Sequence, residues 1–162
     1  MFLSNLSLHD QAKNHQLWTP YIPENVQPCS VDFTLDYVDT PFVEYSHGDP
    51  VYMVKPGQHC LAVTNEYVMI PAYLGARVEG KSSLGRMGLF VHITAGWIDA
   101  GFQGNITLEL FNCSDDPIYL PQGRKICQLA VFMLDRPANP TYNGKYQGAT
   151  GLEYNKEPTI HG

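Results

Sequence analysis

Short segments of alternating apolar and polar residues, each ended by a turn, constrain the fold of this chain most strongly. Residues 30–35, SVDFTL, follow the period-2 pattern of a half-buried strand. Turn residues separate the segments that follow, for example at 39–41, 48–50 and 55–57. The other strand candidates are Phe42–Tyr45, Val51–Val54, His59–Asn65, Tyr67–Ile70, Ala76–Glu79, Asn105–Phe111, Ile118–Leu120 and Ile126–Leu134. Many short strands at such spacing predict an all-β sandwich or barrel.

The first 20 residues have a different pattern from the rest of the chain. Within LSLHDQAKNHQLW, the positions of Leu6, Leu8, Ala12 and Leu17 predict one short amphipathic helix with these four side chains on a common face. Prolines at positions 20, 23 and 28 then prevent the helix from continuing and lead the chain into the first strand.

Length and charge limit the classes of function. At 162 residues the chain fits one domain that can bury a core. Charged residues make up only 16% of the sequence, which favours a β-rich body or burial through self-association. The formal net charge of −6 argues against general nucleic-acid binding, which needs a basic face. An anionic ligand must therefore meet a local cluster of Lys, Arg and backbone N–H groups.

Cysteines and apolar runs bear on the cellular compartment. The four cysteines, at positions 29, 60, 113 and 127, form neither a CxxC pair nor a regular framework. We therefore expect reduced, mostly buried thiols rather than zinc ligands or disulfides. The sequence has no apolar run of transmembrane length, and its N-terminus lacks a signal-peptide pattern. The expectation is a cytoplasmic protein that does not bind a membrane.

A ligand site is predicted in Glu79–Asn112, EGKSSLGRMGLFVHITAGWIDAGFQGNITLELFN. The stretch contains six glycines, which let a backbone approach a ligand closely or turn sharply. Its few charges stand singly in an apolar background. A lone carboxylate such as Glu109 is costly to bury unless it has partners.

The motif Lys81–Arg86, KSSLGR, is a candidate phosphate site. It places two hydroxyls between two cations and close to two glycines. Cationic side chains, hydroxyls and free backbone N–H groups bind phosphate together. The motif lacks the spacing of a P-loop, and a Ser-Ser turn flanked by surface charges has the same pattern. Both interpretations are open at this point.

Asp99 precedes a glycine turn, and Phe102 follows that turn directly. One interpretation is an ordinary turn that begins with Asp. The other has Asp99 binding a sugar hydroxyl or orienting a water molecule, with Phe102 packed against the sugar ring.

Glu109 lies in the segment 106–111, where alternation places Thr107, Glu109 and Phe111 on one face and three apolar residues on the other. If the sheet is covered on both sides, Glu109 is either paired with a cation such as Arg86 or tuned for proton transfer. A carboxylate that faces solvent is the alternative. His92, in an apolar run, is expected to be a core residue with satisfied hydrogen bonds rather than a metal ligand.

The chain changes character after Pro137, where Gly, Asn, Tyr and Pro become frequent. We therefore divide it into a β-domain at 1–136 and a tail at 137–162. The tail is either frayed or a lid that orders over a ligand, since Tyr and Lys among glycines suit contacts with phosphates and rings.

The sequence resembles a known family in the same regions. The block at 79–112 is similar to the signature region of dCTP deaminases, the zinc-independent branch of the trimeric dUTPase superfamily. The likeness extends to QPCSVDFTL at 27–35, TNEYVMIP at 64–71, PQGRKICQLAVF at 121–132 and KYQGATG at 145–151. The resemblance implies a distorted, dUTPase-like β-barrel with a short N-terminal helix and a flexible C-terminal lid. It also implies a homotrimer with three shared sites and, as substrate, a nucleoside triphosphate that carries Mg²⁺.

The resemblance assigns roles to individual residues. Glu109 is the implied catalytic carboxylate, which takes a proton from the water attacking C4 of cytosine and passes it toward the departing ammonia. Ser82 and Arg86 would hold that water and Glu109, and Asp99 would meet the deoxyribose 3′-hydroxyl. The backbone around Ala95 would contact the base. The remaining implied substrate contacts are Lys81, Ser83, Leu84, Gly85, Thr107, Leu108, Gln128, Tyr142 and Lys145.

Two positions distinguish the branches that this chain resembles. Pure dUTPases usually have an apolar residue where Glu109 stands, because they expel no amine. Deaminases that release dUTP tend to have a His-Arg-like pair where this chain has Gly96 and Trp97. The sequence AGWIDAGF resembles bifunctional members, which convert dCTP to dUMP and diphosphate, and the small Gly96 would leave room for a second water near the α-phosphate. We predict this dUMP-forming activity; a dUTPase-only hydrolase and a non-catalytic nucleotide-sensing protein are the alternatives.

The tail departs from the family pattern in two ways. Ala149 stands where the family usually has a Gln that touches the nucleotide, and the spacing from Tyr142 to Lys145 is short. In the family, dTTP acts as a feedback inhibitor by shifting the loop around residues 92–94. The resemblance therefore makes dTTP a candidate inhibitor here.

Overall fold

The computed structural model describes residues 1–157, and most of its regular structure is β-strand. In chain order the elements are α1 (Asn5–His15), β1 (Trp18–Thr19), a 3₁₀ helix (Pro23–Asn25), β2 (Val26–Gln27), β3 (Ser30–Val38), β4 (Val43–Ser46), β5 (Asp49–Val54), β6 (His59–Met69), β7 (Leu74–Gly80), α2 (Ser82–Gly85), β8 (Leu89–Phe90), β9 (Trp97–Ile98), β10 (Gln103–Asn112), β11 (Ile118–Pro121) and β12 (Lys125–Met133). The all-β prediction with a short N-terminal helix is confirmed.

Two antiparallel sheets form the body of the described chain. Nine strands make a curled, half-barrel sheet in the order β8-β10-β6-β3-β12-β7-β9, with β1 beside β6 and β2 beside β3. The other sheet has three strands in the order β11-β5-β4. Neighbouring strands in the large sheet come from distant parts of the chain, so residues far apart in sequence meet on its faces.

Alternating residues of the strands build the core. In β10, Ile106, Leu108 and Leu110 are buried, while Thr107 and Glu109 point to the opposite, half-buried face. This is the alternation predicted from the sequence. Each buried leucine contributes about 1.5–3 kcal/mol through the apolar surface that it removes from water. The alternation therefore fixes which face Glu109 occupies, because a shift by one residue would bury the carboxylate and expose three apolar side chains.

The N-terminal helix does not bury all four of the predicted apolar side chains on one face. Leu8 and Ala12 are buried as expected, but Leu6 is 76% exposed and does not share their face. The helix ends at His15, followed by Gln16 in the left-handed conformation with φ of 52°. Leu17 is fully buried, but it reaches the core from the segment after the helix.

Two predicted boundaries are wrong. The candidates His59–Asn65 and Tyr67–Ile70 form the single strand β6, because the buried Glu66 carboxylate is satisfied within the sheet by Thr34 rather than by solvent in a turn. The turn predicted at 48–50 lies earlier, at His47 and Gly48. Their φ angles of 54° and 94° are those of a two-residue hairpin turn.

The described cysteines are all free, but only Cys60 and Cys127 are buried. Cys29 and Cys113 are exposed, so the prediction of mostly buried thiols is wrong for these two. Burial raises the pKa of the Cys60 thiol to about 11. Among residues 1–157, no helix has the length and apolar character needed to span a membrane.

Candidate active site

Glu109 is held near the middle of β10 by the loop that follows β8. Its Oε2 accepts a hydrogen bond from the backbone N–H of Ile93 at 2.8 Å. Its own backbone N–H donates to the carbonyl of Val91 at 3.2 Å. Both ends of the residue are therefore tied to the same loop. Within the described residues no Lys or Arg pairs with Glu109, so the expected pairing with Arg86 does not occur within one chain.

Glu109 lines a cavity of about 690 Å³ that lies between β10, the loop at 92–99 and the tail. Such a volume is within the range of small-molecule sites. Seven of the predicted site residues line it: Ala95, Trp97, Asp99, Thr107, Leu108, Glu109 and Tyr142. The cavity is also lined by His92, Ile93, Phe102, Asn105, Ala149, Glu153 and Tyr154.

The loop at 92–99 is tightly constrained. Thr94 has φ of 65°, an unusual value for a residue with a branched side chain. At Gly96, an added Cβ would lie 2.7 Å from the Val78 carbonyl oxygen and 3.0 Å from the His92 ring. Gly96 is therefore required by close approach and does not itself line the cavity.

His92 differs from its prediction. It lies at the cavity wall, and its Nδ1 is buried without a hydrogen-bond partner among residues 1–157. The expectation of a satisfied core histidine is therefore wrong. A buried polar atom without a partner is costly, which makes this nitrogen a candidate to meet a ligand or water.

The turn after β9 carries Asp99 and Phe102 to the cavity. The Phe102 N–H donates to the Asp99 carbonyl at 3.1 Å, and Gly101 has the positive φ of 93° that such a turn needs. The Asp99 side chain lines the cavity, while the Phe102 ring meets the Tyr142 ring edge-on at 5.8 Å. The predicted turn is therefore present, and it places Asp99 at the wall of the cavity.

The tail, as far as residue 157, packs along the sheet and does not fray from it. Tyr142 donates its N–H to the Ala100 carbonyl at 2.8 Å, and Gly148 to the Gln103 carbonyl at 2.9 Å. The Gln147 side chain bonds both the N–H of Gln103 and the carbonyl of Gly101. Residues 158–162 of the predicted tail lie outside the described residues.

A second polar cluster surrounds the buried carboxylate of Asp32 on β3. Lys81 pairs with one oxygen, and Lys125 lies 3.3 Å from the other. Gln128 is opposite Asp32 in the strand register, and it bonds Ser30 at 3.0 Å and the Gly80 carbonyl at 3.1 Å. Two of the predicted substrate contacts, Lys81 and Gln128, are therefore held side by side.

The short helix α2 carries the rest of this predicted group. Ser82, Ser83, Gly85 and Arg86 are exposed, whereas the Leu84 side chain is buried in the core. None of the predicted residues in Lys81–Arg86 lines the Glu109 cavity, and neither do Gln128 and Lys145. Lys145 pairs instead with Glu157. One chain therefore presents two separate groups of predicted site residues.

Comparison with known proteins identifies the family of this chain. The family model described as dCTP deaminase-like matches residues 36–134. The chain belongs to the dCTP deaminase-like family. Its relatives include the dCTP deaminase, dUMP-forming, of Aquifex aeolicus, which is 42% identical over 94% of this chain and 92% of its own length. The protein of the same name from Corynebacterium efficiens is 42% identical over 82% of this chain and 81% of its own.

Solved structures agree on the fold of this dCTP deaminase-like chain. The 2′-deoxycytidine 5′-triphosphate deaminase of Agrobacterium tumefaciens superimposes with a TM-score of 0.67 at 18% identity, over 82% of this chain. The chain spans 48% of the length of that protein. A mutant dUTPase from phage phi11 of S. aureus, reported with a structural Mg(II) ion, gives a TM-score of 0.51 at 15% identity. The predicted dUTPase-like fold is thereby confirmed.

Several residues of the dCTP deaminase-like site were not predicted from the sequence. Asp32 and Lys125 organise the second cluster, and Asn105, Glu153 and Tyr154 line the cavity. Asp32 gave no signal, because the alternation in residues 30–35 places it on the polar face, opposite Val31 and Phe33. The tail residues had none either, since irregular chain without periodicity gives no indication of what it packs against.

Proposed function

We propose that this chain is a dCTP deaminase that also converts its product to dUMP and diphosphate. The observation that carries this proposal is the position of Glu109, half-buried in a cavity and held by one oxygen. Relatives that match most of this chain at 42% identity are named dCTP deaminase, dUMP-forming. The overall reaction of the first step is dCTP and water to dUTP and ammonia.

Glu109 is suited to proton transfer. The Ile93 N–H occupies Oε2, so Oε1 is free to accept a proton from water as the oxygen attacks C4 of cytosine. The same oxygen then delivers the proton to the 4-amino group, which leaves as ammonia when the C4–N bond breaks. As the C4–N bond breaks, the hydroxyl left on C4 gives up its proton and N3 gains one, which forms the C4=O and N3–H of uracil. The carboxylate returns to its starting state, and atoms and charges balance.

The rest of the cavity would hold the nucleoside. The backbone at Ala95 faces the base, and Thr107 and Leu108 form the wall beside Glu109. Asp99 is placed to accept a hydrogen bond from the 3′-hydroxyl, with Phe102 and Tyr142 packing around the sugar. These roles are proposals from geometry and family resemblance together.

The separation of the two groups supports a site shared between subunits of a homotrimer. Ser82 and Arg86 stand exposed on α2, away from the Glu109 of their own chain. In a trimer they would complete the cavity of a neighbour, where they would hold the attacking water. The substrate phosphates would then lie against Lys81, Ser83, Gly85 and Gln128 of that neighbour, and Lys145 would meet them from the tail.

Magnesium would enter with the triphosphate. Among residues 1–157, no three His, Cys, Asp or Glu side chains are grouped to hold a metal ion. The donors available here are the cations and hydroxyls that bind phosphate oxygens, and Mg²⁺ is often bound mainly through phosphates and water. When bound, the ion neutralises phosphate charge, while Lys81 and Arg86 hold the phosphates that carry it.

Three further properties belong to the proposal. Trp97 would border the water that releases diphosphate, and Gly96 would set the position of Trp97 by packing against Val78 and His92. The strained loop at 92–94 would be the element that dTTP displaces when it inhibits the enzyme. Residues 1–136 would form the catalytic body and 137–162 its lid, in a cytoplasmic enzyme.

A product assay tests the proposed function. The protein is incubated with dCTP and, separately, with dUTP, each with Mg²⁺; ammonia release is followed, and the nucleotides are separated by chromatography. We expect ammonia and dUMP in equal amounts. Accumulation of dUTP would remove the second step, hydrolysis of dUTP alone would identify a plain dUTPase, and the absence of any product would overturn the enzymatic proposal.

A further inference from the structure

Strand β10 contains a bulge, and the Asn105 side chain fills it. The register of β10 against β6 shifts between Asn105 and Thr107. A bulge interrupts the ladder of hydrogen bonds and leaves backbone groups without strand partners. The Asn105 Nδ2 lies 3.1, 3.4 and 3.2 Å from the carbonyl oxygens of Thr64, Asn65 and Glu66. The amide group thus satisfies the part of β6 that the bulge exposes.

A buried network supports this bulge from behind. The Glu66 carboxylate accepts hydrogen bonds from the N–H and the hydroxyl of Thr34, both at 2.8 Å. The Thr64 hydroxyl donates to the Glu66 carbonyl at 3.0 Å and accepts the Ile106 N–H at 3.1 Å. Glu66 and Thr64 are buried, so the carbonyls that face Asn105 have fixed positions.

The opposite side of Asn105 binds the tail. Its backbone N–H donates to the Ala149 carbonyl at 2.9 Å, and its Oδ1 accepts the Gly151 N–H at 3.2 Å. Ala149 also forms a parallel bridge with Gly104. Two residues further along each segment, the Glu153 N–H donates to the Thr107 hydroxyl at 3.1 Å. Asn105 therefore joins the bulge of the sheet to the tail through one side chain.

The tail segment that Asn105 binds forms a wall of the Glu109 cavity. Ala149, Glu153 and Tyr154 line that cavity, and the Tyr154 hydroxyl donates to Asp39 at 3.0 Å beyond it. The segment between Ala149 and Tyr154 is thus fastened at Asn105, Thr107 and Asp39. Asn105 is the first of these three contacts along the tail.

We propose that Asn105 is a positioning residue for the reaction, because it fixes the tail segment 149–154 as a wall of the cavity that contains Glu109. The proposal rests on the function proposed above and adds a residue to it. An asparagine suits the position because its two N–H donors lie within reach of three carbonyls on one side, and its oxygen accepts from the tail on the other. Aspartate has the same shape but no donor, and at neutral pH its charge would face three carbonyl oxygens.

Two variants break the link from opposite ends. Asn105→Asp removes the donors to the sheet. Gly151→Pro leaves the sheet intact but removes the N–H that binds Asn105, and proline cannot adopt the φ of 88° found there. Because residue 151 is in the tail, the second variant tests the proposal even if the first one fails to fold. Asn5→Asp, at an exposed position in α1, adds the same charge and serves as the control.

Hydrogen exchange and steady-state kinetics give independent readouts. We expect the amides of residues 148–153 to exchange faster in both variants and as in wild type in the control. We expect kcat/KM for dCTP to fall about tenfold in both variants, as the loss of one or two hydrogen bonds predicts. The change should appear mainly in KM, because the tail forms a wall and does not touch the transferred proton. A general loss of fold would instead lower kcat and the active fraction at unchanged KM.

The outcomes separate this inference from the proposed function. If wild type releases no ammonia, the proposed function fails; the positioning role is then judged from tail exchange together with the calorimetrically measured affinity for dCTP. If wild type is active but both variants keep wild-type tail exchange, Asn105 does not fix the tail. Faster exchange combined with wild-type kcat/KM, or with wild-type affinity for dCTP when no turnover is seen, would show that the tail contact exists but does not serve the reaction.

Discussion

The backbone N–H of Ile93 donates to Oε2 of Glu109 at 2.8 Å, and this bond ties the proposed catalytic carboxylate to the loop at 92–99. The same loop carries His92, whose Nδ1 has no hydrogen-bond partner among residues 1–157, and Gly96, which packs closely against Val78. A displacement of residues 92–94 must therefore move the carboxylate or break its hydrogen bond. Such a connection is what a feedback inhibitor acting on residues 92–94 would require.

Replacement of Glu109 by Gln should stop ammonia release while the protein stays folded. The glutamine carbonyl oxygen can still accept the Ile93 N–H, so the loop is retained, but the amide cannot take up the proton from water. Loss of a general acid–base group lowers kcat by about 10²–10⁴-fold. The ammonia assay measures the loss, and circular dichroism checks the fold. Glu44→Gln, on the exposed strand β4, is the charge-matched control. A Gln variant with the wild-type rate would remove Glu109 from the mechanism.

Mixing two inactive variants should restore activity if sites are shared. Chains with Glu109→Gln keep Arg86, and chains with Arg86→Ala keep Glu109. After the two are unfolded together and refolded, each site of a random trimer has both intact residues in about a quarter of cases. We therefore expect about a quarter of wild-type activity from the mixture, measured as ammonia release.

The control for this experiment mixes Glu109→Gln with Asp99→Ala. Asp99 lines the same cavity as Glu109 within one chain, so no mixed trimer contains a site with both residues intact. This mixture should stay inactive. Equal recovery in the two mixtures, or recovery in neither, would contradict the assignment of Arg86 to the neighbouring subunit.

Much of the scaffold could be predicted from the sequence, because local patterns determine it. Alternation at 106–111 placed Glu109 on the face opposite Ile106 and Leu108, and the structure confirms that placement. The short helix was also predictable, although the exposed Leu6 shows that a four-residue apolar pattern does not fix which side chains are buried.

The parts that could not be predicted depend on contacts between distant segments. Asp32 meets Lys81 and Lys125 only because β12 pairs with β3 on one side and with β7, which ends at Gly80, on the other. The Asn105 contact with Gly151 joins irregular chain to a bulge, and neither has a periodic pattern. Alternation likewise could not show that the residues of α2 and Glu109 lie in separate places within one chain.

Glu66 should make folding stability decrease as pH rises above the ordinary carboxyl pKa of 4.5. Burial raises the pKa of Glu66, although hydrogen bonds from Thr34 lower it in part. The folded state therefore keeps its proton at pH values where the unfolded state has lost it. It follows that the free energy of unfolding falls as pH increases from 4.5 through the raised pKa.

Urea unfolding at a fixed protein concentration, between pH 4.5 and neutral, measures this effect. The Glu66→Gln variant has no proton to lose, so its free energy of unfolding should fall less steeply with pH than that of wild type. Glu44→Gln, whose carboxylate is exposed, should follow the wild-type slope. Parallel curves for wild type and Glu66→Gln would contradict the prediction.

Gly96→Ala should change the ratio of products more than the rate of deamination. The added Cβ would lie 2.7 Å from the Val78 carbonyl and 3.0 Å from His92 Nε2, closer than such contacts allow, so the backbone at residues 96–97 must shift. Glu109 is held through Ile93, three residues earlier, whereas Gly96 directly precedes Trp97, the proposed neighbour of the water that releases diphosphate. Chromatography of the products from dCTP should therefore show dUTP accumulating at the expense of dUMP. Gly80→Ala is the matched control, because its Cβ would meet Val91 at 3.6 Å, an ordinary contact. If Gly96→Ala slows ammonia release and dUMP formation by the same factor, the close approach at Gly96 serves the whole site and not the second step.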